Sequence, residues 1–124
     1  FANNVLVHNS GIQKGYNYGC KEGETKLFAY DIMMNNKYMD AEDFINICKI
    51  RNIPTVPFLN IGPYSKESVE WYTKGASMLC SNIPIREGVV IKSLIEKINP
   101  YCGRTVLKSI NEEYLLLKDN SDFH

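Results

Sequence analysis

The sequence predicts an α+β fold in which a mostly antiparallel sheet carries helices on its outer side. Three observations lead there. Residues 26–33 (KLFAYDIM) and Arg86–Lys92 (REGVVIK) place their side chains alternately, as strands do. Two intervening stretches, 41–51 and the one that opens at Ser65, repeat apolar residues at helical spacing. The chain has 124 residues and is 44% hydrophobic, enough for one core and one compact domain. Fourteen basic residues balance fourteen acidic ones, so no global basic field draws in nucleic acid and any such contact is a local patch. Cys20, Cys48, Cys80 and Cys102 form no C-x-x-C pair, and the two histidines sit at opposite ends of the chain, which argues against a zinc site. With no signal peptide and no apolar run near the length of a membrane span, the chain reads as cytoplasmic, without membrane contact and with reduced thiols.

In chain order, FANNVLVHNS comes first and resembles the C-terminal splice junction of an intein: an apolar strand, then His-Asn, then a hydroxyl residue. In such a junction the Asn side-chain amide attacks its own carbonyl, the preceding His assists, and the next residue is the nucleophile that has received the upstream segment. The resemblance assigns those roles to Asn9, His8 and Ser10, and divides the chain into a remnant, 1–9, and a host portion, 10–124. Nine residues do not splice alone, so the remnant is expected to be inert.

The segment Gly11 to Gly19 is rich in glycine and tyrosine and suits a turn that holds backbone close to a ligand. In the strand expected over 26–33, Leu27, Ala29 and Asp31 share one face, and Phe28, Tyr30 and Ile32 the other. Asp40 is placed as an N-cap, with Phe44, Ile47 and Cys48 marking the buried stripe of a helix that ends before Ile53-Pro54. Thr55 to Leu59 is expected as a short strand kept to an edge by Pro54 and Pro57. Ser65 caps the second helix, whose stripe is Val69, Tyr72 and Ala76, with Trp71 in the packing or at its rim. In REGVVIK, Val89 and Ile91 are the buried pattern and Glu87 and Lys92 stand at the two ends; strict alternation sends those two to opposite faces unless the strand bulges at Gly88. By itself the heptamer suits an edge strand with solvated ends. Val106 and Lys108 alternate as in another strand, Asn111 to Lys118 suits a turn and short helix or strand, and the polar tail is expected to end the chain.

Five segments, GIQKGYNYG, KLFAYDIM, NIPTVPFLN, REGVVIK and TVLKSINEEYLLLK, occur in this order, and together they resemble the second half of the nucleotidyltransferase domain of phage-type ATP-dependent RNA ligases over residues 11 to 124. The resemblance implies an ATP-grasp-like adenylation domain, incomplete at its N-terminus. It also implies the family's chemistry: a lysine in a K-x-x-G motif takes AMP from ATP, the AMP passes to an RNA 5′-phosphate, and a 3′-hydroxyl displaces it. By position, Tyr30 matches the aromatic that stacks on adenine and Asp31 its neighbour; Gln13 matches a glutamine near the adenine pocket. Glu87 matches the carboxylate of the metal and nucleotide site, and Lys92 and Lys108 match lysines on the phosphates. The implied cofactors are ATP and Mg²⁺, and the implied partners are RNA ends and the missing N-terminal half. The implied location is the cytoplasm, that of an infected host cell for a phage enzyme.

Two departures qualify the match. The 124 residues contain no K-x-x-G, so this stretch alone is expected not to ligate RNA. A second lysine usual two residues after Lys108 is Ile110 here, which leaves open whether Lys118 replaces it. The alternatives are an intein-derived splicing product, a non-catalytic nucleotide- or RNA-binding domain, and a DNA-ligase or capping-enzyme relative.

Overall fold

The computed structural model describes residues 4–9, 20–76 and 85–121, with Asn4, Asn9 and residues 118–121 described by backbone alone. In chain order the elements are β1 (Asn4–Asn9), β2 (Met33–Met34), β3 (Lys37–Tyr38), α1 (Ala41–Ile50), β4 (Phe58–Pro63), α2 (Lys66–Thr73), β5 (Gly88–Ser93), β6 (Ile98–Asn99), β7 (Gly103–Arg104), β8 (Val106–Ile110) and α3 (Glu112–Ser121). The fold is α+β. Its main sheet runs β4-β1-β5-β8 with every pairing antiparallel, and β2–β3 and β6–β7 are separate two-stranded hairpins. The Gly11–Gly19 segment, with Gln13, and Ser10 lie outside the described residues, as does most of the loop after Cys80.

Local chemistry explains the helix ends. Asp40 stands at the N-cap of α1, but its side chain makes no capping bond; Oδ1 accepts instead from the Glu96 N–H at 2.7 Å. The other end closes with Asn52 in the left-handed region at φ 53°, while Ile53 N donates to Cys48 O and Asn52 N to Lys49 O. That is a Schellman closure, with Asn as the residue that tolerates positive φ. Ser65 caps α2 as expected, its hydroxyl accepting from Ser68 N at 3.1 Å. Asn111 starts α3 by accepting from Glu113 N, and it also ties the helix to the segment before β5, donating from Nδ2 to Arg86 O and from its backbone N to Glu87 O.

Three local expectations are corrected. Residues 26–33 do not form a strand: Ala29 makes an isolated parallel bridge to Thr55, bonded to Pro54 O and Val56 N, and regular pairing begins only at Met33. The turn residues Asn35 and Asn36, both at positive φ, close the β2–β3 hairpin and so pull the chain out of a longer strand. The strand near Thr55 starts later, at Phe58, and its proline-flanked beginning stays irregular. β5 is not an edge strand; it lies between β1 and β8 and pairs with both.

β5 therefore serves two faces. Val89 and Ile91 join Val7 in the core cluster, with Val5, Leu59, Val69 and Tyr72 packed against it, so α2 covers this face. Trp71 of α2 is 77% exposed and takes no part in that packing. The other face of β5 carries Val90 and Lys92, opposite His8 and Leu6 of β1 and opposite Lys108 and Val106 of β8. Directly opposed residues share a face, so Lys92 and Lys108 are diagonal neighbours on the same side.

Gly88 permits the close approach of β5 and β8, since a Cβ there would collide with the backbone carbonyl of Ser109. Gly88→Ala is expected to push β8 outward and lower folding stability by about 2 kcal/mol, in the range of overpacking. A urea midpoint unchanged from the parent would refute that expectation.

Candidate active site

Two charge clusters form on and beside the Lys92 face. In the first, Lys108 Nζ meets Glu87 Oε1 at 2.7 Å. Glu87 precedes the first paired residue of β5, so the alternation that would send it away from Lys92's face does not bind it. Its side chain is 6% exposed, and Oε2 is buried without a hydrogen-bond partner among the described residues. Burial, then the charge of Glu87, raises the pKa of the Tyr114 hydroxyl, which places this α3 residue in the field of the carboxylate.

The second cluster centres on Asp31. Lys92, only 4% exposed, lies 3.5 Å from Asp31 Oδ2 and donates to the Tyr30 backbone carbonyl at 3.1 Å. Its ammonium also stands over the Phe44 ring, 5.1 Å from the centroid. Arg104 reaches the same Asp31 oxygen at 2.5 Å, pairs with both oxygens of Glu96, and lies 3.7 Å over the Tyr38 ring. Burial lowers the pKa of Lys92, and the neighbouring Asp31 only partly restores it. For Arg104 burial pulls downward as well, but the hydrogen bonds to Glu96 and Asp31 and their charges outweigh it, so its pKa is raised.

The structure thus brings Glu87 together with Lys108, and Asp31 together with Lys92. The Tyr30 side chain, 64% exposed, extends from the segment whose backbone holds Lys92. His8 is buried in β1 opposite Val90, and the Asn9 backbone pairs with Val89. The Lys118 backbone belongs to α3. Sequence reasoning missed Arg104, Glu96 and Asn111. The first two are spaced by a hairpin whose Gly103 takes φ +80°, and that Gly-Arg pair after a polar turn was the available signal.

An antiparallel α+β domain whose sheet carries paired carboxylates and ammonium groups is suited to bind and stabilise phosphoryl oxygens. A family model described as RNA ligase matches residues 6–110, and the chain belongs to that family. The match begins inside β1, so it includes His8 and Asn9. No curated protein and no solved structure matches the chain. No described helix is long and apolar enough to cross a membrane.

Among the described residues no three His, Cys, Asp or Glu side chains gather as a metal cluster. A magnesium ion does not require one, because it is commonly held by one or two carboxylates together with substrate phosphates and water. Glu87, with Oε2 unengaged, fits that role.

Lys92 yields a prediction with a defined sign. Its pKa is lowered in the fold, so between that value and the unfolded value of about 10.4 the unfolded chain binds more protons and stability rises with pH. The burial penalty on the charged form is present below the window and is relieved through it. In urea titrations from neutral pH upward, the stability of the parent relative to Lys92→Met is expected to increase toward alkaline pH. A difference that stays flat would show that Lys92 is not desolvated.

Proposed function

We propose that these residues form part of the nucleotidyltransferase domain, ATP-grasp-like in type, of an ATP-dependent RNA ligase that joins 5′-phosphate and 3′-hydroxyl ends. The observation that carries the reading is the Glu87–Lys108 pair set across β5 and β8 beside the buried Lys92–Asp31 pair, in a chain of the RNA ligase family. The reaction runs in three transfers. A lysine amine forms a bond to the ATP α-phosphorus as pyrophosphate leaves; the RNA 5′-phosphate then takes the AMP from that lysine; the 3′-hydroxyl finally attacks the activated 5′-phosphate and AMP departs. Each transfer concentrates negative charge on phosphoryl oxygens, and fixed cations in a partly dry site stabilise it.

Lys108, freed from Glu87 by an entering phosphate, supplies one such cation. Lys92 supplies another, held in place by Asp31, the Tyr30 carbonyl and the Phe44 ring. Tyr30 presents an exposed ring for adenine to stack upon, and Asp31 fixes the backbone that carries it by accepting from Ile32 N. Glu87 would hold Mg²⁺, which when bound neutralises phosphate charge. Gln13 is assigned to the adenine pocket by resemblance. The K-x-x-G lysine is supplied from outside these 124 residues, so the stretch is inactive by itself. The segment 1–9 as an intein remnant, and a phage-type origin, belong to the same proposal.

The test is intact-mass analysis of the protein with its upstream segment, after incubation with ATP and Mg²⁺. One covalent adenylate is expected on the parent, and its rate of formation should fall by about 100-fold or more in Glu87→Ala and Lys108→Ala, the loss typical when one fixed charge-stabilising group is removed. A folded parent that carries a K-x-x-G and gains no adenylate would overturn the proposal.

A further inference from the structure

A second concave surface lies along α2, lined by residues that the ligase reading leaves unused. Arg86 and Trp71 contribute to the wall of a cavity of about 750 Å³, ample for a nucleotide. Arg86 is 6% exposed, and a guanidinium is always charged. Its Nη1 donates to the Tyr72 carbonyl near the end of α2, but among the described residues Nε has no hydrogen-bond partner and no carboxylate pairs with the guanidinium. The dipole at a helix C-terminus supplies only about half a negative charge. A buried cation compensated to that extent leaves a net positive field in the cavity, and an anion is what satisfies it.

The placement is specific. The guanidinium lies over Gly75, where any Cβ would run into it. Glu67 and Glu70 stand at the rim, both exposed, with Glu70 3.9 Å from Lys66, and Lys74 stands beside them. Water screens these exposed charges more than it screens the buried guanidinium, so Arg86 dominates the interior. Trp71, the chain's single tryptophan, lines the same cavity from a helix surface where the core does not need it. An exposed indole beside a buried cation suits a base next to its phosphate, because stacking on an aromatic ring tolerates any base.

We propose that this cavity is a subsite for single-stranded RNA, in which Arg86 takes a backbone phosphate oxygen and Trp71 stacks on an unpaired base. The proposal rests on the ligase reading for the identity of the polymer alone. It is tested on the full chain through Trp71 fluorescence, titrated with a 5′-hydroxyl oligouridylate, with UMP and with inorganic phosphate. Saturable quenching by the oligonucleotide that weakens steeply with salt is expected, with UMP and phosphate at least tenfold weaker. Arg86→Gln should weaken the oligonucleotide at least tenfold. Because that variant also removes a contact to α2, Trp71→Ala provides a second arm: its exposed ring can be removed without opening the core, and the anisotropy of labelled RNA should report about tenfold weaker binding. Lys49→Ala, at an exposed lysine of α1 that does not line the cavity, should leave the quenching in place. Absence of quenching, RNA affinity unchanged in Trp71→Ala, quenching lost in Lys49→Ala, or phosphate binding as tightly as RNA would each overturn the proposal. Failure of adenylate formation in the mass assay bears on the ligase reading and leaves this binding result standing.

Discussion

One carboxylate shared by two cations governs the organisation of this domain. Lys92 sits on an interior strand in an almost fully buried position, and an ammonium removed from water costs several kcal/mol unless a counter-charge and hydrogen bonds meet it. Asp31 meets it from a segment sixty-one residues earlier in the chain, as the numbering gives, and Arg104 and Glu96 complete a group of two positive and two negative side chains. The requirement reaches outward from there. Asp31 is in place because Ala29 bridges to Thr55, and Arg104 because the β6–β7 hairpin returns it beneath Tyr38. Even the N-cap of α1 is drawn in, since the Asp40 carboxylate abandons its own helix to hold the backbone of Glu96.

The Glu87–Lys108 pair obeys a different constraint. Lys108 keeps about half of its side chain in solvent, so the pair is not locked by burial on both sides and the lysine can exchange partners. What is fixed is the carboxylate. Asn111, fully buried, bonds to the backbone carbonyls of both Arg86 and Glu87, so the start of α3 clamps the residues from which the Glu87 side chain projects. A rigid carboxylate facing a movable ammonium is a reasonable arrangement for a site that must admit a charged ligand, because the ligand displaces only the half that moves.

What the sequence made legible follows from the range of each interaction. The helix over 41–51, the Ser65 cap and the Val89–Ile91 pattern depend on residues within a few positions of one another, and each appears in the structure. The strand expected over 26–33 failed because two asparagines at positive φ imposed a hairpin just after it, a local signal that alternation outweighed. β5 was taken for an edge because charged ends suit an edge; its interior position depends on β1 and β8, which are distant in sequence. Glu87, Lys92 and Lys108 were singled out by resemblance. Their pairings were not deducible from spacing, since alternation separates Glu87 from Lys92 and says nothing of Asp31. Asn111 was missed for the same reason, and for Arg104 and Glu96 the Gly-Arg turn marked a hairpin without naming their partners, which only the tertiary fold supplies.

The period of two along β5 then divides the labour of the domain. Val89 and Ile91 turn toward Val7, Val69 and Tyr72, where stability comes from apolar burial and depends little on geometry beyond packing. Lys92 turns the other way, where Leu6 and Phe44 pack beside buried charges whose stability depends on partners being present. A substitution that thins the apolar face weakens the fold in proportion to the volume it removes, whereas one that removes a member of the ionic face strands its partner in a dry environment. Glu87, Lys92 and Lys108, the residues proposed for phosphoryl transfer, stand on or beside the second face. Each is held by a partner of opposite charge, so an anion that entered there would exchange with a carboxylate instead of meeting an unpaired cation.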